Sequence, residues 1–368
     1  MVIGREVKVF KAIDEIGKES IDSLSNDGFF TYGYFKTVET SKAFNIEPFY
    51  LSINDEDKTV AIAPCYVESN SWFRAFKKKS SFMQRIARAV DFLGFYQNHL
   101  VASYSPESYH SKLLIRENHD AKIILNLLSK KIDEICERGQ IPFSSFPYVP
   151  ESERTLIENL EYFGYNKSPS ANIFNLDIKW SSFDDYVKSL ESTVIRRSVR
   201  REIRKCKENG ITIVEEKEFG DLSATLSCLH SNLKKKHEKT VESARNISFF
   251  RKLSEYAKDK TRVLIAKRGS EVVGFSLSLQ HNDILDVHMC GFDYAAQTST
   301  DFAYFNLGYY MPIRIAIEEG IKKIHYSINE DKVKLRRGCK TEKTYSFIKC
   351  HNRLLEPLNN FYRKNLLA

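Results

Sequence analysis

Hairpin signals followed by long amphipathic helices occur in both halves of this chain, and that alternation restricts the fold to mixed sheets flanked by helices. In the first half, strand-like runs at 49–53 and 59–66 flank the polar turn Asn54-Asp55-Glu56-Asp57-Lys58. Ile123, Ile124, Leu127, Leu128, Ile132 and Ile135 then recur at helical spacing and predict a helix over 120–138, stopped by Gly139. A basic, poorly periodic stretch lies before it at 74–88. A second helix over 151–163 ends at Gly164, ahead of an extended run at 172–178. In the second half, Ser182 and Asp185 form a capping box ahead of a helix at 186–190, and further helices are expected at 194–209, 221–239, 248–256 and 302–319. Strands are expected at 211–215, 263–267, 271–280, 284–290 and 323–327. The chain has 368 residues, more than one hydrophobic core usually serves. The expected organisation is therefore two α/β domains, 1–178 and 179–368.

Hydrophobic residues make up 42% and charged residues 28%, a balance that supports folding along most of the length. No stretch reaches the 18 apolar residues of a membrane-spanning helix, and the first residues lack the pattern of a secretory signal. A cytoplasmic protein with no integral membrane segment is expected. Its seven cysteines are scattered without a CxxC pair, which argues against a disulfide framework. No HExxH, GxSxG or P-loop pattern is present, so neither a bound metal nor nucleotide hydrolysis is expected.

The net charge of +8 is concentrated most densely at 196–207. There Arg197, Arg200, Arg201 and Arg204 fall on one helical face at spacings of three and four, a surface suited to phosphates. The alternative is a solvated helix with Glu202 as partial compensation.

The last part of the chain resembles a known family. The residues that carry the likeness are Gly291-Phe292-Asp293-Tyr294, the aromatic run 300–310 ending Leu307-Gly308-Tyr309-Tyr310, the segment Ala316-Ile317-Glu318-Glu319-Gly320, and Lys334-Leu335-Arg336-Arg337-Gly338. They are similar to the Fem-like, BioF2-like group of the GNAT superfamily. The resemblance implies tandem GNAT-like folds with mixed, mostly antiparallel sheets and an acyltransfer site in the C-terminal one, and the weaker motifs of the first half suggest that it is a degenerate copy. It also implies an N-acyltransferase with no permanently bound cofactor. The donor is an aminoacyl-tRNA or an acyl-CoA, and the acceptor is an amine on a peptide, a peptidoglycan precursor or a small molecule. By motif, Lys334, Arg337 and Gly338 fall in the K-x-x-R-G element and Tyr304, Asn306, Tyr309 and Tyr310 on the aromatic helix. The family often has His and Glu where this chain has Tyr304 and Asn306.

The residues themselves suggest roles. Amide formation needs a proton acceptor for the amine and donors for the carbonyl oxygen. Lys332, Lys334 and Arg337 follow the last predicted strand, where a loop presents cations to a phosphate or an oxyanion, and Gly338 permits tight turning and close approach. Alternation along 284–290 places Asp286, His288 and Cys290 on one strand face, so His288 is either a base near neutral pH or a hydrogen-bonded structural residue. Tyr304 is the functional candidate on a helix whose other aromatics read as core. The connection 294–301 has neither glycine nor cation, unlike a pyrophosphate-binding loop, which favours aminoacyl-tRNA over acyl-CoA as donor. A non-catalytic RNA-binding scaffold is the reading from another class.

Overall fold

The computed structural model describes residues 6–56, 58–69, 98–236, 243–296 and 300–352. The predicted basic stretch 74–88 and residues 297–299 of the connection 294–301 lie outside them. The described residues form two units, one within 1–24, 45–171 and 343–368, the other within 25–44 and 172–342.

The first unit is organised by a sheet of strands β1 (Val7–Phe10), β2 (Ile46–Asp55), β3 (Lys58–Ser69), β4 (Asn98–Ala102), β6 (Phe143–Pro150), β15 (Thr344–Cys350) and β7 (Asn166–Pro169), in that spatial order, with the short β5 (Leu114–Ile115) beside β3. All pairs are antiparallel except β4 with β6. After the short α1 (Lys18–Asp22), and α2 (Tyr32–Ser41), which belongs to the second unit, the long α3 (Ala121–Arg138) supplies the crossover a parallel pair requires. Asp120 caps it by accepting from Lys122 N and Ile123 N, and Ile124, Leu128 and Ile132 bury its inner stripe. Helix α4 (Arg154–Tyr162) adds Leu156 and Leu160 to the same core.

The second unit repeats this plan without repeating the sequence. Its sheet runs β14 (Lys340–Glu342), β8 (Ile173–Asp177), β13 (Lys323–His325), β12 (Ile284–Phe292), β11 (Glu271–His281), β10 (Thr261–Arg268), β9 (Ile211–Glu216). Only β12 and β13 are parallel. Its helices are α5 (Phe183–Ser189), α6 (Thr193–Glu208), α7 (Ser223–Lys236), α8 (Ser243–Tyr256), α9 (Ala303–Phe305), α10 (Met311–Glu318) and α11 (Asp331–Leu335).

The expected linear division near residue 178 gives way to an exchange of segments. The run at 173–177 pairs with β13 and so belongs to the second unit, whereas β15, from the end of the chain, pairs with β6 in the first. Residues 25–44 also join the second unit. Backbone contact fixes them there: a Cβ on Gly33 would lie 2.4 Å from the Tyr256 carbonyl oxygen, and one on Gly28 2.5 Å from Leu279 Cβ. Only hydrogen fits at either position.

Two further expectations change. The helix at 302–319 contains a π-helical segment, Asn306–Tyr310, and Pro312, which has no N–H to offer the preceding turn, follows directly after it at the start of α10. A bulge between β11 and β12 pairs Ser278 with Val287 and Leu277 with Met289, leaving His288 as the extra residue. The alternation flips there, so Cys290 does not share a face with Asp286 and His288. Cys290 packs beside Tyr304 and Leu307, while His288 meets Phe29 edge-to-face at 4.8 Å.

Gly33→Ala is expected to destabilise the protein by about 1–3 kcal/mol, since the clash is with backbone that has no alternative rotamer. Chemical denaturation measures it. A change of only a few tenths would mean that 25–44 is not held at this contact.

Candidate active site

Helix α6 carries two opposed faces. Val199, Glu202 and Cys206 are buried, and Ile195, Ser198 and Ile203 half-buried, on the stripe facing the sheet, while Arg197, Arg200, Arg201 and Arg204 are exposed. Arg204 is paired with Glu208 at 3.4 Å, and the Arg201 guanidinium lies 5.6 Å over the Phe302 ring. The four arginines that the spacing places on one face are thus presented to solvent.

The buried stripe holds a carboxylate. Glu202, 6% exposed, accepts from Ser198 Oγ at 2.8 Å, from an Arg337 terminal nitrogen at 2.9 Å and from the Tyr310 hydroxyl. Arg337, also 6% exposed, donates to Tyr310 Oη at 3.0 Å and to the Val333 carbonyl at 3.1 Å. Its guanidinium carbon lies 4.1 Å over Phe305 and 5.0 Å over Tyr309. Two charges removed from water here have each other, a phenol and aromatic faces as compensation. The π-helical segment makes this possible. Its extra residue turns the consecutive Tyr309 and Tyr310 both inward, Tyr310 to Glu202 and Tyr309 to stack on Tyr326 at 5.0 Å.

Lys334 is the second buried cation, 4% exposed. Its ammonium donates to the Ile328 carbonyl at 2.6 Å and the Ser327 carbonyl at 3.3 Å, and lies 4.9 Å over Phe174. Ser327, Asn329 and Glu330 all have left-handed backbone, with φ of 57°, 65° and 57°. Such a run of strained non-glycine residues persists only where its surroundings hold it. Lys334 supplies that hold by drawing two carbonyls of the turn inward. Burial lowers its pKa to about 8. Gly338 has φ +83°, so it serves the turn after α11, but a Cβ there would meet only ordinary contacts at 3.6 and 3.7 Å, and the close approach expected of it is absent.

Strands β12 and β13 pair only from Ile284–Lys323 to Asp286–His325, after which β13 ends and β12 continues to Phe292. Tyr326 instead leans toward β8, its N–H donating to the Phe174 carbonyl at 2.8 Å. A wedge opens between the strands, with Tyr304 against Phe292 on one side and Tyr309 against Tyr326 on the other. Tyr304 and Tyr309 are hydrogen-bonded to each other, and burial raises the Tyr304 pKa to about 12. His288, the extra residue of the bulge, is turned to Phe29 and not to this wedge.

Beside the wedge is a cavity of about 120 Å³ lined by Ile195, Ser198, Val199 and Glu202 of α6, Phe305, and Lys332, Val333, Arg336 and Arg337. Lys332 and Arg336 are exposed at its rim. The structure therefore gathers Lys334, Arg337, Tyr304, Lys332 and the α6 face around one end of the sheet.

The FemAB_like family model, described as peptidoglycan biosynthesis/recognition, matches residues 12–366. The chain belongs to the FemAB-like family. As a member it is a transferase enzyme, and its fold is that of tandem GNAT proteins. Among solved structures, FemX is 11% identical with a TM-score of 0.63 over 95% of this chain and 99% of that one. A conserved protein of unknown function from Bacteroides thetaiotaomicron VPI-5482 is 13% identical, with a TM-score of 0.58 over 92% and 99%. A tandem GNAT protein from the clavulanic acid biosynthesis pathway is 10% identical, with a TM-score of 0.54 over 95% and 99%. These likenesses concern the fold. A serine–tRNA ligase of Thermoplasma acidophilum is 36% identical over 88 residues, so the FemAB-like chain spans 20% of the length of that curated relative. No helix among the described residues is long and apolar enough to cross a membrane.

The sequence reading missed Glu202 as an anchor. Its signal was spacing: 199, 202 and 206 form the buried stripe of α6, and the lone acid on that stripe needed a buried cation. Nothing local announced the wedge, which depends on where β13 stops.

Arg337→Met is expected to cost about 3–5 kcal/mol by leaving Glu202 buried without its cation, and adding Glu202→Gln to recover part of that loss. A double-mutant cycle by denaturation measures it; additive effects would contradict the pairing. Lys334 titrates near 8 when folded and 10.5 when unfolded, so the unfolded chain binds more protons between these values. The stability of the protein relative to Lys334→Met should then rise with pH from 8 to 10.5 and be level below 8. A flat difference across that window would mean the lysine is solvated.

Proposed function

We propose that this transferase moves an aminoacyl group from aminoacyl-tRNA to an amine acceptor in the cytoplasm, using the second unit as its catalytic centre. The observation that carries the reading is α6. One helix presents Arg197, Arg200, Arg201 and Arg204 to solvent while its opposite side is bound through Glu202 to Arg337 and Tyr310. A polyanion gripped through its phosphates on the outer face is thereby held beside the wedge. The local likeness to a protein named for joining serine to tRNA agrees with this donor.

In the reaction the acceptor nitrogen attacks the ester carbonyl, the new C–N bond forms, and the C–O bond to the terminal ribose breaks. Backbone N–H groups on the stretch of β12 beyond Asp286, where β13 no longer pairs, are the donors for the developing oxyanion. The proton lost by the amine passes to the departing ribose oxygen. Tyr304, kept protonated by burial and hydrogen-bonded to Tyr309, is the acid that delivers it. Lys334 and Arg337 act as positioning residues, holding the turn 327–330 and the π-helical segment. An amine on a peptidoglycan-type peptide is the acceptor that the family description favours. Acyl-CoA is the second reading, supported by the tandem GNAT architecture shared with the protein of the clavulanic acid biosynthesis pathway.

The test is binding of purified protein to labelled tRNA across a salt series. Affinity should fall steeply with salt, and Arg200→Glu with Arg204→Glu should weaken binding and flatten the slope by about one per arginine lost. Saturable coenzyme A binding with no affinity for tRNA would overturn the donor assignment.

A further inference from the structure

We infer that the cavity between α6 and α11 is a binding site for an adenosine phosphate, the group that ends a tRNA acceptor strand and is also part of coenzyme A. The inference rests on the donor-binding role proposed above and names the part of the donor that this cavity takes.

The wall chemistry selects the ligand class. Ile195, Val199, Val333 and Phe305 give the cavity an apolar interior, and its volume of about 120 Å³ admits a flat ring. Of the four charged groups that line it, Glu202 and Arg337 neutralise each other at 2.9 Å, so Lys332 and Arg336 leave a net charge of +2. These two are four residues apart, at the start of α11 and immediately after it, and both are exposed. Neither forms an ion pair among the described residues. A bare phosphate has no use for the apolar walls, and an aliphatic chain has no use for two cations at their rim. A nucleobase with its phosphate uses both: the base enters against Val199, Val333 and Phe305, and the phosphate stays at Lys332 and Arg336. Ser198 Oγ, already donating to Glu202, remains an acceptor for an exocyclic amine such as that of adenine. Arg201 and the other exposed arginines lie on α6, the helix that also lines this cavity through Ile195, Ser198, Val199 and Glu202, and the preceding phosphates of a strand would run along that face.

Calorimetric titration of the full chain with adenosine 5′-monophosphate tests the site without requiring any transfer. Saturable binding is expected, weakened about tenfold or more both by Val333→Trp, which fills the cavity, and by Lys332→Glu with Arg336→Glu, which reverses its rim. The second variant changes only exposed side chains and keeps the test decisive if the tryptophan does not fold. Ribose 5-phosphate should bind at least about tenfold more weakly, since it lacks the base. No binding of the nucleotide, equal binding of ribose 5-phosphate, or binding indifferent to both variants would overturn the inference. Displacement of the nucleotide by a CCA-ended oligonucleotide or by coenzyme A supports the site in either case and tells which donor supplies the group. Transfer from aminoacyl-tRNA by a protein that binds no nucleotide would sink the cavity assignment alone. Nucleotide binding without tRNA-dependent transfer would sink the donor assignment alone.

Discussion

The second unit depends on one buried ion pair. Glu202 and Arg337 lie on α6 and just after α11, 135 residues apart; both bond the Tyr310 hydroxyl of the π-helical segment, Glu202 also accepts from Ser198 and Arg337 also donates to the Val333 carbonyl. Replaced by apolar residues, such a pair would often hold a fold equally well. Its particular effect is directional: it sets which face of α6 turns outward, and therefore where four arginines stand, and it fixes the aromatic segment that floors the wedge.

The wedge has a different origin. It needs no special residue, only a three-residue β13 beside a nine-residue β12, together with a turn that carries the chain toward β8. The left-handed residues at 327, 329 and 330 make that turn, and the Lys334 ammonium offsets its strain by satisfying two of its carbonyls. A lysine in this role has lost most of its freedom to act on a substrate. That is why the chemistry is assigned to Tyr304 and the β12 edge, and the rim chemistry to Lys332 and Arg336.

Much of this was legible in the sequence, for reasons particular to each element. Helix α3 showed through because its apolar residues follow a single period and it has a cap at Asp120 and a stop at Gly139. The arginine face of α6 was legible because spacing on a helix translates directly into a face. The exchange of β8 and β15 was not, since strand pairing across more than a hundred residues leaves no local mark. The alternation along 284–290 misled because one bulge at His288 reverses every side chain beyond it. The π-helical segment was hidden for a similar reason: one extra residue in a helix rotates every later side chain about the axis, and Tyr309 and Tyr310 both look like core in either register.

The most direct test of the account is a transfer experiment that offers the full chain radiolabelled aminoacyl-tRNA and, in parallel, radiolabelled acetyl-CoA, each with amine-bearing peptides that include a peptidoglycan-type stem peptide. The account predicts an amide product carrying the aminoacyl label, formed with release of free tRNA and abolished by prior ribonuclease treatment. Labelled product from acetyl-CoA alone, unaffected by ribonuclease, would contradict it.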